Sequence, residues 1–390
     1  MNIHTSETPF APEQSLWRRL SLKFDIRSYT MIIALVAIWI IFSILTEGQF
    51  LSPRNISNLS RQMSITAVLA IGMVMVIVAT HIDLSVGAIL GLTGGIAAVL
   101  QVWFHWDTPW AIAVALGLGA LIGAWHGYWV AYQKVPAFIV TLAGYMAYRG
   151  ILLGVLKGLT VAPMFPSFKI ISSGYLDLIP GVALTAISIV ALIYGRFNAR
   201  AAKVRYGFEV KPLLLELVLT LFYCGLIVAG VFWLYQYEGI PFPVILVLIL
   251  TLIFAFITNS TKFGRQVYAM GGNAEAARLS GINVRRRTLV VFVLAGLLAS
   301  VAGILTTARL NAATITAGQG AELDAIASCV IGGTSLMGGV GSIPGAILGA
   351  LVMASLDNGM SMMNTEAFWQ FITKGFILLL AVWVDIKTKK

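Results

Sequence analysis

Residues 63–80, MSITAVLAIGMVMVIVAT, carry no charge, and HIDLSVG at 81–87 interrupts them before apolar sequence resumes from Ser85 to Phe104. Eighteen residues of α-helix rise about 27 Å, close to the ~30 Å hydrocarbon thickness of a bilayer. Inside that hydrocarbon every backbone polar group must be satisfied within the protein, so a spanning segment of this kind is a helix. Asp83 sits in the interruption, and a charge at the bilayer centre costs at least about 2.5 kcal/mol. It is therefore predicted to cap the helix that follows or to line a wet cavity. The stretch reads as a membrane helix, a break, and a second membrane helix.

The rest of the chain repeats the pattern. Clear apolar runs lie at 29–45, 109–131, 137–156, 179–194, 213–235, 241–257, 289–308 and 368–384, with a shorter one at 343–356. The Gly-rich piece from Glu322 to Gly341 reads as apolar but poorly helical. Over 390 residues the composition is 59% hydrophobic and 11% charged, against roughly 45–50% and about 25% in soluble domains. That excludes a soluble enzyme and a disordered chain. The predicted class is an all-α polytopic membrane protein of about ten transmembrane helices, some of them broken.

Loop charge sets the orientation, because cytoplasmic loops carry the excess of Lys and Arg. Arg18, Arg19, Lys23 and Arg27 precede the first run. Arg196, Arg200, Lys203, Arg205 and Lys211 fill one later loop, and Lys262, Arg265, Arg278, Arg285, Arg286 and Arg287 another. Lys387, Lys389 and Lys390 end the sequence. Both termini and both basic loops are predicted cytoplasmic, which demands an even number of crossings. The net charge of +10 thus belongs beside a membrane, not on a nucleic-acid-binding face. The expected organisation is an interfacial segment at 1–28, with Trp17 to Phe24 lying along the inner surface and no cleavable signal. One membrane domain at 29–384 follows, including cytoplasmic loops 196–211 and 259–288, and a tail at 385–390. A short echo, Gly87-Ala88-Ile89-Leu90-Gly91 against Gly345-Ala346-Ile347-Leu348-Gly349, hints at two related halves, although five small residues also recur by chance.

Nothing in the sequence assembles a catalytic, cofactor or metal site. His4, His81, His105 and His126 are scattered, with no metal-ligand spacing, and Cys224 and Cys329 read as small core residues. The run Gly332-Gly333-Thr334-Ser335-Leu336-Met337-Gly338-Gly339 lacks the lysine of a phosphate-binding loop. Its glycines suit close helix approach or a helix break.

Two groups of residues invite functional readings. Asn273-Ala274-Glu275-Ala276-Ala277-Arg278-Leu279-Ser280-Gly281 reads as a complete short helix: Asn273 as N-cap, Glu275 and Arg278 matched to the dipole, and Gly281 as the left-handed stop. It is either a surface helix or a protrusion that docks on a partner, its alanines permitting close approach. The other group is the ionisable residues at apolar segments. Glu322 and Asp324 are placed to cap a helix at the Gly-rich break, and Arg149 and Lys374 to snorkel to an interface. Asp357-Asn358 is placed at a solvent boundary, and no ion-coupling pair stands out. Most tryptophans, such as Trp103, Trp110 and Trp233, fall at span ends as interface anchors.

At these residues the chain resembles the permease subunits of bacterial ABC importers for ribose, xylose, arabinose and galactose. The similarity rests on Ile82-Asp83-Leu84-Ser85-Val86-Gly87, on Pro136 to Leu142 with Arg149-Gly150, and on Gly264-Arg265 leading to Gly271-Gly272-Asn273 and Leu279-Ser280-Gly281-Ile282. It continues through Glu322 to Ala327 and Val330 to Ser335. Ala131 to Pro136 and Met353 to Met363 look most like the D-xylose subgroup. His81 departs from the family's usual Glu. The resemblance implies a homodimeric pathway for a monosaccharide, two cytoplasmic ATP-binding subunits that hold ATP-Mg, and a periplasmic sugar-binding protein. It implies that Gly271, Gly272, Asn273, Glu275, Ala276, Ala277, Leu279, Ser280 and Gly281 couple to the ATPase. Asp83, Ser85, Gly87, Arg149, Glu322, Asp324, Gly332 and Gly333 are the pathway or broken-helix candidates. The competing classes are a proton- or sodium-coupled sugar carrier, with Asp83 or Asp324 as the coupling carboxylate, and a channel or scaffold with no transport cycle.

Overall fold

The computed structural model describes residues 26–208, 210 and 212–388; the predicted interfacial stretch at Trp17 to Phe24, and Lys211, Lys389 and Lys390, lie outside them. In chain order the helices are α1 (Ile26–Leu45), α2 (Pro53–Val78), α3 (Val86–Val102), α4 (Thr108–Ala131), α5 (Ala137–Leu156), α6 (Pro166–Ser173), α7 (Leu178–Arg205) and α8 (Leu213–Tyr235). Then come α9 (Phe242–Ser260), α10 (Lys262–Gly272), α11 (Ala274–Leu279), α12 (Val284–Leu310), α13 (Ala321–Ile331), α14 (Ile343–Met362) and α15 (Ala367–Thr388). Two-residue strands, Tyr175–Leu176 and Ile240–Pro241, pair antiparallel. Among the described residues eight helices are long and apolar enough to cross a membrane, and Met31–Leu45, Val86–Val102 and Ala367–Trp383 form shorter apolar helices. The all-α polytopic class follows directly.

Lipid offers no hydrophobic drive for helices to associate, so small residues that permit close packing do that work. The centre is built this way. Gly119, Gly123 and Gly127 of α4, one turn apart, press on the α12 backbone at Gly296, Phe292 and Leu289 respectively. A methyl group at Gly123 would drive into the Phe292 carbonyl. α2 packs on the same helix through Gly72 against Ala295. The most apolar windows of α2 and α12 are 72% and 67% buried, while those of α7 and α8 are only 6% and 11% buried. The α7–α8 hairpin is therefore almost wholly exposed on the outside of the bundle.

The predicted loop at 196–211 is corrected here: α7 continues through it to Arg205. Ala199, Arg200, Ala201, Ala202 and Lys203 all favour helix, and no breaker occurs until Gly207, which takes the left-handed conformation at φ 73°. The Gly-rich piece at 322–341 is likewise half helical, because the acids Glu322 and Asp324 fall in the first turn of α13, where the helix dipole favours them.

Two core helices are broken in opposite senses. After α2, residues 79–85 run without helix before α3 begins; after α12, residues 311–320 do so before α13. The starts of α3 and α13 meet where Gly87 lies against Gly318 and Glu322. From there α3 runs beside α12, Gly94 reaching Thr307, towards an end where Gln101 hydrogen-bonds Thr108. α13 runs the other way, down α14, with Ser328 against Gly349 and Gly332 against Gly345. It finishes near Val78, whose carbonyl accepts from the Gly339 N–H. The echoed glycines share one role: Gly87 and Gly345 each open a helix against another segment's backbone carbonyl. Trp233 at the end of α8 donates to the Leu51 carbonyl at the start of α2, so the Arg196–Arg205 end of α7 lies at the Val78 end of the bundle, with α10 and α11.

Candidate coupling surface and broken-helix centre

At the Val78 end, α10 and α11 project between α9 and α12. Thr261 caps α10, accepting from the Gly264 N–H at 3.1 Å. Asn273 then caps α11 as the sequence predicts, its side-chain oxygen accepting from the Ala276 N–H at 2.9 Å. Arg278 forks onto Glu275 with Nη2 to Oε1 at 2.6 Å and Nε to Oε2 at 3.2 Å. This bond and charge hold the Glu275 carboxyl below its usual range and the Arg278 guanidinium above its own. Ser280 donates to the Ala276 carbonyl, Gly281 takes φ 82°, and Asn283 caps α12 through the Arg286 N–H. Six residues would not hold a helix alone in water; capping at both ends and attachment to α12 do.

One face of α11 is turned in and the other out. Ala277 is buried, whereas Ala276 and Ser280 are exposed and Leu279 is 77% exposed. Ala277 is thus a packing residue, and the surface open to a partner is Ala276, Leu279 and Ser280 around the Glu275–Arg278 pair. Gly271 and Gly272 also differ. A Cβ on Gly271 would strike the Val78 carbonyl and the Gly339 N–H, while one on Gly272 would meet nothing. Tyr268 of α10 donates to the Gly341 carbonyl at 2.8 Å, and burial raises its phenol above the ordinary range. The protrusion is therefore packed against the end of α2 and hydrogen-bonded to the 332–342 segment that joins the half-helix α13 to α14. Within that segment Gly333 has φ 90°, and Gly332 fits only because Gly345 also lacks a side chain.

The broken-helix centre gathers the intramembrane polar groups. Asp83 Oδ1 accepts from the Ser85 N–H at 2.8 Å and its hydroxyl at 2.6 Å, so it braces the turn before α3; the expectation that it caps the helix is corrected, because Ser85 holds the N-cap position. Ser85 Oγ lies 3.4 Å from His126 Nδ1, and the Tyr148 hydroxyl 2.9 Å from Nε2. This chain ties the break to α4 and α5. Arg149 donates to the Ala317 carbonyl at 2.7 Å, bracing the irregular 311–320 segment instead of reaching for an interface. Its Nε and Nη2, and Oε2 of Glu322, are buried without a hydrogen-bond partner.

Lys374 also corrects the expectation of snorkelling: its Nζ lies 2.9 Å from Asp324 Oδ2 and 2.9 Å from Asp357 Oδ2. Asp324 does not act as a side-chain cap, since Gly320 holds that position. Asp357-Asn358 is no solvent boundary; Asn358 is buried and exchanges hydrogen bonds with Asn55 at 2.8 and 3.0 Å. His126, Tyr148 and Asn55 were not singled out by sequence. His126 carried a usable signal, as the one histidine in an otherwise uncharged span.

Long apolar helices around a core of oppositely broken ones define a multi-pass membrane protein. The family described as "Branched-chain amino acid transport system / permease component" matches residues 55–382, and the chain belongs to it. It is 49% identical to the xylose transport system permease protein XylH of Haemophilus influenzae, over 94% of this chain and 98% of that one. It is 50% identical to XylH of Escherichia coli K12, over 94% and 93%. The ribose import permease protein RbsC of Escherichia coli K12 is 36% identical over 95% of this chain and 97% of its own. No solved structure matches the chain.

Proposed function

We propose that this chain is the membrane-spanning subunit of an ATP-driven importer that moves a monosaccharide, D-xylose, into the cell. Two copies flank the pathway, two ATP-binding subunits dock at the Val78 end on the cytoplasmic side, and a periplasmic binding protein delivers sugar at the other. The observation that carries this reading is the exposed, doubly capped α11, joined through Gly271 to Val78 and Gly339. The higher identity to xylose than to ribose permeases supports the cargo.

Closure of the ATP-binding subunits on α11 displaces α10, and the Gly271–Gly339 contact passes that displacement to the 332–342 segment. From there α13 and α14 carry it to the crossing at Gly87 and Gly318. ATP acts by biasing two arrangements of this bundle. At the crossing, the unpartnered N–H groups of Arg149 and the Glu322 carboxylate oxygen supply the donors and acceptor that sugar hydroxyls need. The ATP and its magnesium belong to the partner.

The test is co-purification. Ala276→Asp and Leu279→Asp place a charge on the outward face of α11 without touching its packing. Each variant is expected to reach the membrane as wild type does and to lose at least tenfold in recovery of the ATP-binding subunit. Wild-type recovery with both variants would remove α11 as the docking element.

A further inference from the structure

The α7–α8 hairpin takes no part in the coupling path, yet it carries a built cationic cavity. α7 has 28 residues, so it is about 42 Å long, roughly 12 Å more than the ~30 Å hydrocarbon layer. Measured from Leu178, the surplus is the last two turns, which reach headgroup depth. Tyr194 and Phe197 just before these turns, and Tyr206 and Phe208 just after them, are exposed, the aromatic belt expected at an interface. Arg196, Arg200 and Lys203 recur at i, i+4 and i+7 on one face of α7. With Glu216 and Thr220 of α8 they line a cavity of about 170 Å³, more than ten times the ~10–15 Å³ that one water needs. Arg200 is fixed by Glu216, Nη1 to Oε2 at 2.6 Å, and Arg196 lies over the Tyr223 ring, 5.2 Å from its centroid. Among the described residues that line it, three cations face one carboxylate, at a helix pair whose apolar windows are only 6% and 11% buried.

We infer that this cavity binds the phosphate headgroup of an anionic phospholipid, of the phosphatidylglycerol type, from the inner leaflet. A phosphodiester supplies the negative charge, Arg and Lys pair with it, and its acyl chains lie along the exposed α7 and α8. Phosphate recognition between helices on the cytoplasmic side follows this pattern. The assignment is independent of which sugar the protein carries.

Native mass spectrometry of the purified full-length chain, titrated with dioleoylphosphatidylglycerol or dioleoylphosphatidylcholine, tests the assignment. Phosphatidylglycerol is expected to bind at least tenfold tighter than phosphatidylcholine. Arg196→Gln with Lys203→Gln should weaken it roughly 30-fold, about fivefold per cation. The charge-matched pair Arg285→Gln with Arg286→Gln should leave it within twofold. Should the first pair not purify as a single species, Glu216→Gln gives a readout of opposite sign, an affinity gain of about fivefold, which a merely damaged hairpin would not produce. Equal binding of the two lipids, equal loss in both paired variants, or no gain in Glu216→Gln would each overturn the site. So would displacement of the lipid by glycerol phosphate at equal concentration, which would mark a soluble phosphate-ester site instead.

Discussion

At Gly271 a side chain has nowhere to go: the Val78 carbonyl and the Gly339 N–H already occupy the space beyond its α-carbon. One residue on, Gly272 faces open space. Gly271→Ala is expected to cost about 1–3 kcal/mol as overpacking and to reduce ATP-driven uptake. Gly272→Ala should be neutral or stabilising by about 0.5–1 kcal/mol, since alanine is the better helix residue. Thermal unfolding with a parallel uptake assay checks the pair, and equal effects would mean that α10 is not wedged against α2. At this scale the caps were legible: Asn273 and Gly281 act as their chemistry demands. Which way Ala276 and Ala277 face was not, because six residues give too short a period to show a buried side, and the side is chosen by α12. The unequal roles of Gly271 and Gly272 were hidden for the same reason, since both backbones that crowd Gly271 come from distant sequence.

Among the elements, α13, α14 and α15 meet through Lys374, Asp324 and Asp357. Breaking a buried pair by removing one partner typically costs about 3–5 kcal/mol, whereas replacing the whole set is often neutral. Lys374→Met is expected to fall in that range by thermal unfolding, and adding Asp324→Asn with Asp357→Asn should restore most of the loss. A single variant as stable as wild type would show that the lysine does not tie these helices together. The spans were readable from hydropathy, and the break after α2 from Asp83 and Ser85. The extension of α7 was missed because cations in a row suggest a loop, although alanine-rich basic sequence is also good helix. The helical character of 321–331 was masked by the glycines that follow it. The triad itself pairs residues 17 and 50 positions apart, and no local pattern announces such a contact.

Across the whole molecule, one end collects the basic segments, the capped protrusion and the tip of α13, and the centre is where two half-helices start back to back. This geometry suits a bundle that is driven from one end and opens in the middle. The sequence carried the class of protein through its apolar runs and charge bias. It could not carry the opposed half-helices, because Gly318 and Gly87 are brought together only by the packing of α3 along α12. The most direct measurement is labelled D-xylose accumulation in proteoliposomes containing this chain and its ATP-binding subunit, with sugar-loaded binding protein offered outside. Accumulation is expected only when ATP and both partners are present, and it should vanish with Leu279→Asp. Uphill uptake by the chain alone under a pH or sodium gradient would contradict a motor-driven permease and point to the Asp324–Lys374–Asp357 cluster as an ion-coupling site.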